Sequence, residues 1–265
     1  MLGMVVTTQP TVGDLLRKWR QHRRLSQLDL SIQADISTRH LSFVETGRSA
    51  PSRDMVMHLA EQLDLPLRER NQMLMAAGYA PVYQERALDT APMAVIRDAV
   101  RQVLLGHEPY PAIAVDRQWN LVDGNAALPL MLAEVDPALL EQPANALRIS
   151  LHPDGMAPRI ANLGEWRGHL LGRLRRQVEH TADLGLSELL EELLGYPCAD
   201  EVPLVEHPGP GDVVVPLRLC HESGELAFFS TVTTFGTPLD VTVAELAIEA
   251  FFPANQHTTE ILRTG

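Results

Sequence analysis

Apolar side chains at Val12, Leu15, Leu16 and Trp19 recur at i, i+3, i+4 and i+7, while Arg17, Lys18 and Arg20 fall on the opposite side. That period predicts an amphipathic helix. Ser26 stands three residues before Asp29, a capping-box pair that starts a second helix running through about Ala34, with Leu30 and Ala34 inward. After a break at Asp35, Ser37 can cap a third helix from Thr38 to about Thr46, with Leu41 and Val44 one turn apart and Gly47 closing it. Pro51-Ser52 opens a fourth, carrying Val56, Leu59, Ala60 and Leu63 on one face. Pro66 opens a fifth with Met73, Leu74 and Ala77, ending at Gly78. The pattern is that of an all-α, five-helix domain.

The period changes after that. Residues 80–92 contain Pro81, Pro92 and mixed polar residues without periodicity, which marks a boundary. Ala112–Val115 and Trp119–Val122, joined by Asp116-Arg117-Gln118, are expected to form a β-hairpin leading into a helix near Asn125–Ala133. Residues 158–195 are expected to be helical. Strand patterning returns at Val213–Cys220 and Leu226–Thr234 around the loop His221–Gly224, and a last helix is expected over Val243–Phe252, stopping at Pro253. The expected division is a first domain over 1–80, a linker over 81–92 and an α+β domain over 93–262, a sheet with helices laid on one face.

Charge sharpens this division. The chain of 265 residues carries a formal net charge of −12, which suits a nucleic-acid partner poorly, since phosphate neutralisation needs local cations. Residues 1–50, however, hold seven Arg/Lys against four Asp/Glu, a net +3, and leave −15 for the remainder. A weakly basic head on an acidic body would limit non-specific adhesion to DNA by repulsion. The segment MLGMVVTTQP has no basic n-region or small-residue cleavage site, and no apolar run approaches the roughly 18 residues that span a bilayer. Only Cys198 and Cys220 occur, too few for a disulfide framework or a four-cysteine zinc site. A reducing cytoplasm is the expected compartment.

The segment 26–47 has the spacing of a helix-turn-helix, in which the second helix enters the major groove. L-S-Q-x-x-L from Leu25 to Leu30, Ile36-Ser37, and L-S-F-V-E-T-G-R-S-A-P-S from Leu41 to Ser52 resemble Xre-type domains of the lambda-repressor-like fold. Ser31 departs from that pattern where a small alanine is common, and Asp35 where glycine makes the turn; aspartate tolerates left-handed backbone better than most residues. The resemblance implies that Gln27 binds a phosphate, that Thr38, Arg39 and Phe43 face the bases, that His40 lies near the backbone, and that Arg20 pairs with Glu45. Arg39 has the chemistry for a bidentate guanine contact, Phe43 for a thymine methyl and Arg48 for a phosphate. Each has a plain structural alternative: a core phenylalanine, a solvated arginine.

His107–Ala112, Asp116–Asn120, His152–Gly155, Ser230–Pro238 and the run from Ala244 to Pro253 resemble the MmyB-like regulators. That resemblance implies a PAS-like ligand-binding domain and a fatty-acid-like ligand, neither of which composition or spacing shows. Such a ligand needs an apolar cavity with polar groups at its mouth, and Trp119, His152, Arg159 and Trp166 are candidates by residue type, against the alternatives of core tryptophan, turn histidine and surface arginine. No metal site is expected: His169 and His180, eleven residues apart on one helical face, would lie about 16 Å apart along the axis. H-E-x-x-H, G-x-S-x-G, P-loop and G-x-G-x-x-G motifs do not occur, so no enzyme and no obligatory cofactor is expected. The expected function is a ligand-responsive homodimer that binds double-stranded DNA; a constitutive repressor with a dimerisation-only second domain, or an enzyme fused to a DNA-binding module, are the alternatives.

Overall fold

The structure is a computed structural model, and residues 10–198 and 214–264 are described. Tertiary contacts divide the chain into two compact units, one of residues 1–85 with Leu239–Val241 and one of residues 86–238 with 242–265. No helix among the described residues is long and apolar enough to cross a membrane.

The first unit contains α1 (Val12–His22), α2 (Gln27–Gln33), α3 (Thr38–Glu45), α4 (Arg53–Gln62) and α5 (Leu67–Ala76). Side-chain caps start the first four. Thr11 with Asp14 and Ser26 with Asp29 form reciprocal capping boxes, while the Ser37 and Ser52 hydroxyls accept from the backbone N–H groups of His40 and Met55. Leu16, Leu30, Leu41, Val56 and Leu74 are completely buried at the centre, beside Trp19. Asp35 turns the chain between α2 and α3 at φ +49°, the left-handed position that similar domains give to glycine. Ser31 is buried, and its hydroxyl bonds at 2.8 Å both to the Leu28 carbonyl and to the Thr38 hydroxyl, so the polar side chain in the alanine-like position is satisfied.

Gly13 is where α1 and α3 approach most closely: a Cβ there would meet the Val44 and Glu45 carbonyl oxygens at 2.7 Å. Both obstacles are backbone and cannot rotate away. Gly13→Ala is therefore expected to lower the stability of this unit by about 1–3 kcal/mol in spite of alanine's better helix propensity. Denaturant unfolding checks this; an unchanged midpoint would contradict the close approach.

The second unit contains α6 (Ala94–Gly106), β1 (Ala112–Val115), β2 (Leu121–Gly124), α7 (Leu128–Leu132), α8 (Ala146–Leu151), α9 (Leu163–Thr181), α10 (Leu184–Leu194), β3 (Leu217–His221) and β4 (Gly224–Thr234). The short α11 (Val241–Ala244), β5 (Ala247–Pro253) and α12 (Gln256–Thr264) follow. The five strands form one antiparallel sheet in the order β2-β1-β5-β4-β3. Val213, the first residue of one expected strand, lies outside the described residues, as do residues 1–9 at the start of the first domain.

Two expectations are corrected here. Residues expected as a last helix, Val243–Phe252, give only the single turn α11 and then the central strand β5, paired with β1 on one side and β4 on the other. A strand buried on both faces has a nearly unbroken apolar run, which periodicity alone does not separate from a buried helix. Nor do the helices lie on one face only. Val100 and Leu104 of α6 pack with Ala112, Ala114 and Ile248, whereas Ile113, Val115 and Phe251 on the other face pack into the larger core with α7 to α10. A sheet whose alternate residues are both apolar needs cover on both sides.

Candidate DNA-reading surface and ligand cavity

In the first unit α3 follows α2 across the tight turn at Asp35, the arrangement that presents the second helix of a helix-turn-helix. Arg39 and Arg48 are exposed, and their guanidinium carbons lie 5.2 and 5.9 Å from the centre of the half-buried Phe43 ring. Each cation can rest on the ring face by a cation–π contact, which restrains two long side chains without consuming their N–H donors. His40 and Thr38 are half-buried on the first turn of α3. The single Ser31 proton goes to the Leu28 carbonyl, so Thr38 is the donor in its bond to Ser31 and keeps only its acceptor capacity and methyl group for another partner.

Behind this surface lies a buried ion pair. Glu45 is 3% exposed and accepts from Arg20 Nε at 2.6 Å and Nη2 at 3.0 Å, while Gln27 Nε2 donates to the same carboxylate at 2.8 Å. Arg17 Nη2 donates to the Glu45 carbonyl at 3.0 Å. Burial pushes the Glu45 carboxyl up, but the hydrogen bonds from Arg20 and Gln27 and the charges of Arg20 and Arg17 outweigh it and hold the pKa below its ordinary value. The bond to Glu45 raises Arg20 in turn. The Arg20–Glu45 pair ties α1 to the end of α3, and Gln27 adds the start of α2, so this network fixes how the recognition helix is held.

In the second unit a cavity of about 60 Å³ lies between the sheet and the helices packed on it. Its walls include Ile113, Leu147, Phe251, Trp119, Trp166 and Met131. Trp119 sits in the β1–β2 turn rather than in a strand, at φ +67°, where Asp116 Oδ1 accepts from the N–H groups of Gln118 at 2.8 Å and Asn120 at 2.9 Å. This side-chain turn swings the indole inward, and its Nε1 donates to Gln177 at 2.7 Å. Trp166, on α9, donates to Ser150 Oγ at 3.0 Å.

The structure thus brings two of the four expected ligand residues to one cavity. The other two do not line it. Arg159 is buried and donates to the carbonyls of Met131 at 3.1 Å and Ala133 at 2.7 Å, holding the end of α7. His152 accepts from the Asp154 N–H at 3.1 Å and lies edge-on to Tyr196, with ring centres 5.0 Å apart. Sequence reasoning missed Ser150 and Glu249 on the wall, and Arg173 behind it. Arg173 Nη1 donates to both Glu249 oxygens at 3.1 Å, and its guanidinium carbon lies 4.4 Å from the Trp119 ring centre. His169 stacks on Trp166; burial first, and then the Arg173 charge, keeps its pKa below the ordinary value, so the ring is neutral at neutral pH. The available signals were a lone glutamate inside the apolar run Ala247–Phe252, and Arg173 two turns beyond Trp166.

Comparison with known proteins agrees with both halves of this geometry. Residues 11–73 match a helix-turn-helix domain family, and residues 96–264 match the family described as the MmyB-like transcription regulator ligand binding domain. The chain is 32% identical over 89 residues to the transcriptional regulator ClgR of Mycobacterium tuberculosis, an alignment covering 34% of this chain and 77% of ClgR. It is also 32% identical over 107 residues to an HTH-type transcriptional regulatory protein of Methanoculleus marisnigri, covering 39% of this chain but only 34% of that protein. With a helix-turn-helix over its first unit and the ligand-binding domain matched along most of its length, the chain belongs to the MmyB-like transcription regulators.

Proposed function

We propose that this DNA-binding regulator is a cytoplasmic homodimer whose affinity for a specific operator is set by a small apolar molecule held in the second-unit cavity. The observation that carries the proposal is that one chain holds both the exposed Arg39 and Arg48 beside the Phe43 ring on a helix-turn-helix and a cavity walled mainly by hydrocarbon and two indoles. Gln27, Thr38, Arg39, His40, Phe43 and Arg48 are its DNA-contacting residues, with Arg39 and Phe43 reading bases and Arg48 a phosphate. Two recognition helices about one DNA turn apart, roughly 34 Å, would read a pseudo-palindrome, because one such helix covers few base pairs. A ligand that favours one of two dimer geometries shifts that spacing.

Trp119 and Trp166 are the ligand-contacting residues of this proposal, whereas the hydrogen bonds of Arg159 and the turn contacts of His152 give those two structural work. The continuous antiparallel sheet with a cavity against one face supports the PAS-like reading of the domain. Hydrocarbon walls support the apolar chain of a fatty-acid-like ligand; at about 60 Å³, against the roughly 150 Å³ that holds benzene, the cavity has to expand around such a chain.

Native mass spectrometry of the purified chain, followed by denaturing extraction, tests the proposal. A dimer carrying a small hydrophobic adduct supports it, and recovery of that molecule unchanged after long incubation supports a sensor over an enzyme. A dimer without an adduct favours a dimerisation-only domain. Ala146, on the cavity wall, supplies the matching variant: Ala146→Leu is expected to fill the space, cost about 1–3 kcal/mol of stability and abolish adduct retention while the dimer remains. Retention of the adduct in that variant would place the ligand elsewhere.

A further inference from the structure

We infer that the ligand site extends beyond the cavity: α7 is a movable wall whose displacement joins the cavity to an open cleft on its far side, and an elongated acyl chain enters through that cleft and spans both. The inference rests on the reading of the cavity as the ligand site and specifies how a long acyl chain is admitted.

Volume sets the problem. The cavity holds about 60 Å³, whereas sites for small molecules run to roughly 300–1,000 Å³. The second unit has another space of that size, a solvent-open cleft of about 600 Å³ bordered by Pro109, α7, the turn between β3 and β4, and α12. α7 borders both. Leu128, Met131 and Leu132 line the cavity, while Leu130, with Ala126 and Ala127 just before the helix, lines the cleft. Leu262 on the cleft wall belongs to the same buried cluster as Met131 and Phe251 on the cavity wall, so hydrocarbon runs from one space to the other.

This wall is lightly held. α7 has five residues, far short of the roughly 12 that an isolated helix needs, with Pro129 in its first turn and no side-chain cap at Ala127. Its far end is clamped by Arg159, which donates to the carbonyls of Leu130 at 3.3 Å, Met131 at 3.1 Å and Ala133 at 2.7 Å. All three acceptors are neutral, so they hold the guanidinium less strongly than a paired carboxylate does. The polar groups set the direction of entry. Glu108, Glu222 and Ser223 on the cleft rim are exposed, whereas the cavity wall is nearly all hydrocarbon. An acyl chain therefore enters hydrocarbon end first and keeps its carboxylate in the water of the cleft, where the rim charges are screened and no ionised group is buried.

The test is binding of hexadecanoate to the ligand-free protein at neutral pH, with affinity from calorimetry for the unaltered protein and three variants. Ala126 is exposed on the cleft wall, so Ala126→Trp fills the cleft from outside the core and is expected to weaken binding at least about tenfold. Ala146→Leu, which fills the cavity, should do the same. Arg159→Met removes the clamp and keeps most of the side-chain bulk. Tryptophan fluorescence in a stopped-flow mixer should show its association with hexadecanoate about tenfold or more faster, and its affinity should rise, because a binding-competent form becomes more populated. A purely structural arginine predicts weaker binding instead, and that result, or unchanged rates, would remove α7 as the moving wall. Should Arg159→Met fail to fold, the two alanine variants still decide. Loss of binding with Ala146→Leu but not with Ala126→Trp confines the ligand to the cavity and overturns the inference while the reading of the cavity stands. Loss with Ala126→Trp alone, or with neither, overturns both. No binding of hexadecanoate by the unaltered protein overturns the inference, and the mass-spectrometric adduct then decides the reading of the cavity by itself.

Discussion

Replacing Glu45 by alanine is expected to destabilise the first unit by about 3–5 kcal/mol, the usual result of removing one partner from a buried ion pair. Arg20 is 8% exposed, and its guanidinium would keep only the Leu25 carbonyl, at 2.8 Å, once both bonds to the carboxylate are gone. Gln27 would lose its acceptor as well. The same network gives a pH dependence with a defined sign. Because the folded carboxyl titrates below its ordinary value of 4.5, its contribution is complete above that value and is lost as the pH falls through the lower folded one. The first unit should therefore weaken as the pH falls below 4.5, and Glu45→Ala should remove that part of the acid sensitivity. Hydrogen exchange of α1 and α3, with their interface at Gly13, reports the change locally. Unchanged protection in the variant would mean that the pair is not holding the recognition helix.

The second large effect is on recognition. Arg39→Ala is expected to leave stability within about 0.5 kcal/mol, since the side chain is exposed and its recorded contact is the Phe43 ring. Operator affinity should nevertheless fall by about 1–3 kcal/mol, roughly tenfold to a hundredfold, the discrimination of one bidentate guanine contact. Binding to random DNA should change little, because phosphate contacts dominate there. Arg48→Ala should behave differently, weakening specific and random DNA alike and reducing the salt dependence. Operator affinity at the unaltered level in Arg39→Ala would remove α3 from its assigned role.

The two units differ in how far the sequence discloses them. Serines and Asp29 that cap helices act within one turn, and Leu41 and Val44 recur at helical spacing, so the first unit is legible from local signals alone. β5 is not legible, because what makes Ala247–Pro253 a strand is pairing with β1 and β4, which are distant in sequence. The site divides in the same way. Trp119 and Trp166 were identifiable by type, as large aromatics in the right domain. Arg159 looked like an anion anchor only so long as its acceptors, backbone carbonyls 26 to 29 residues away, were unknown. Glu249 was the converse case, a charge whose burial and partner exist only in the assembled sheet and α9.

Charge distribution adds one physical point. The basic surplus in residues 1–50 is small against the acidic remainder, so in the proposed function the contacts assigned to Arg39 and Phe43 would supply much of the operator preference.

The most direct test of ligand-controlled DNA binding is a titration of the operator, selected from random DNA by the full chain, at fixed salt with ligand-free and ligand-saturated protein. The account predicts two dissociation constants differing by about fivefold or more, the lower end of typical allosteric coupling. Superimposable curves, with the ligand shown by mass spectrometry to be bound in one sample and absent from the other, would contradict it.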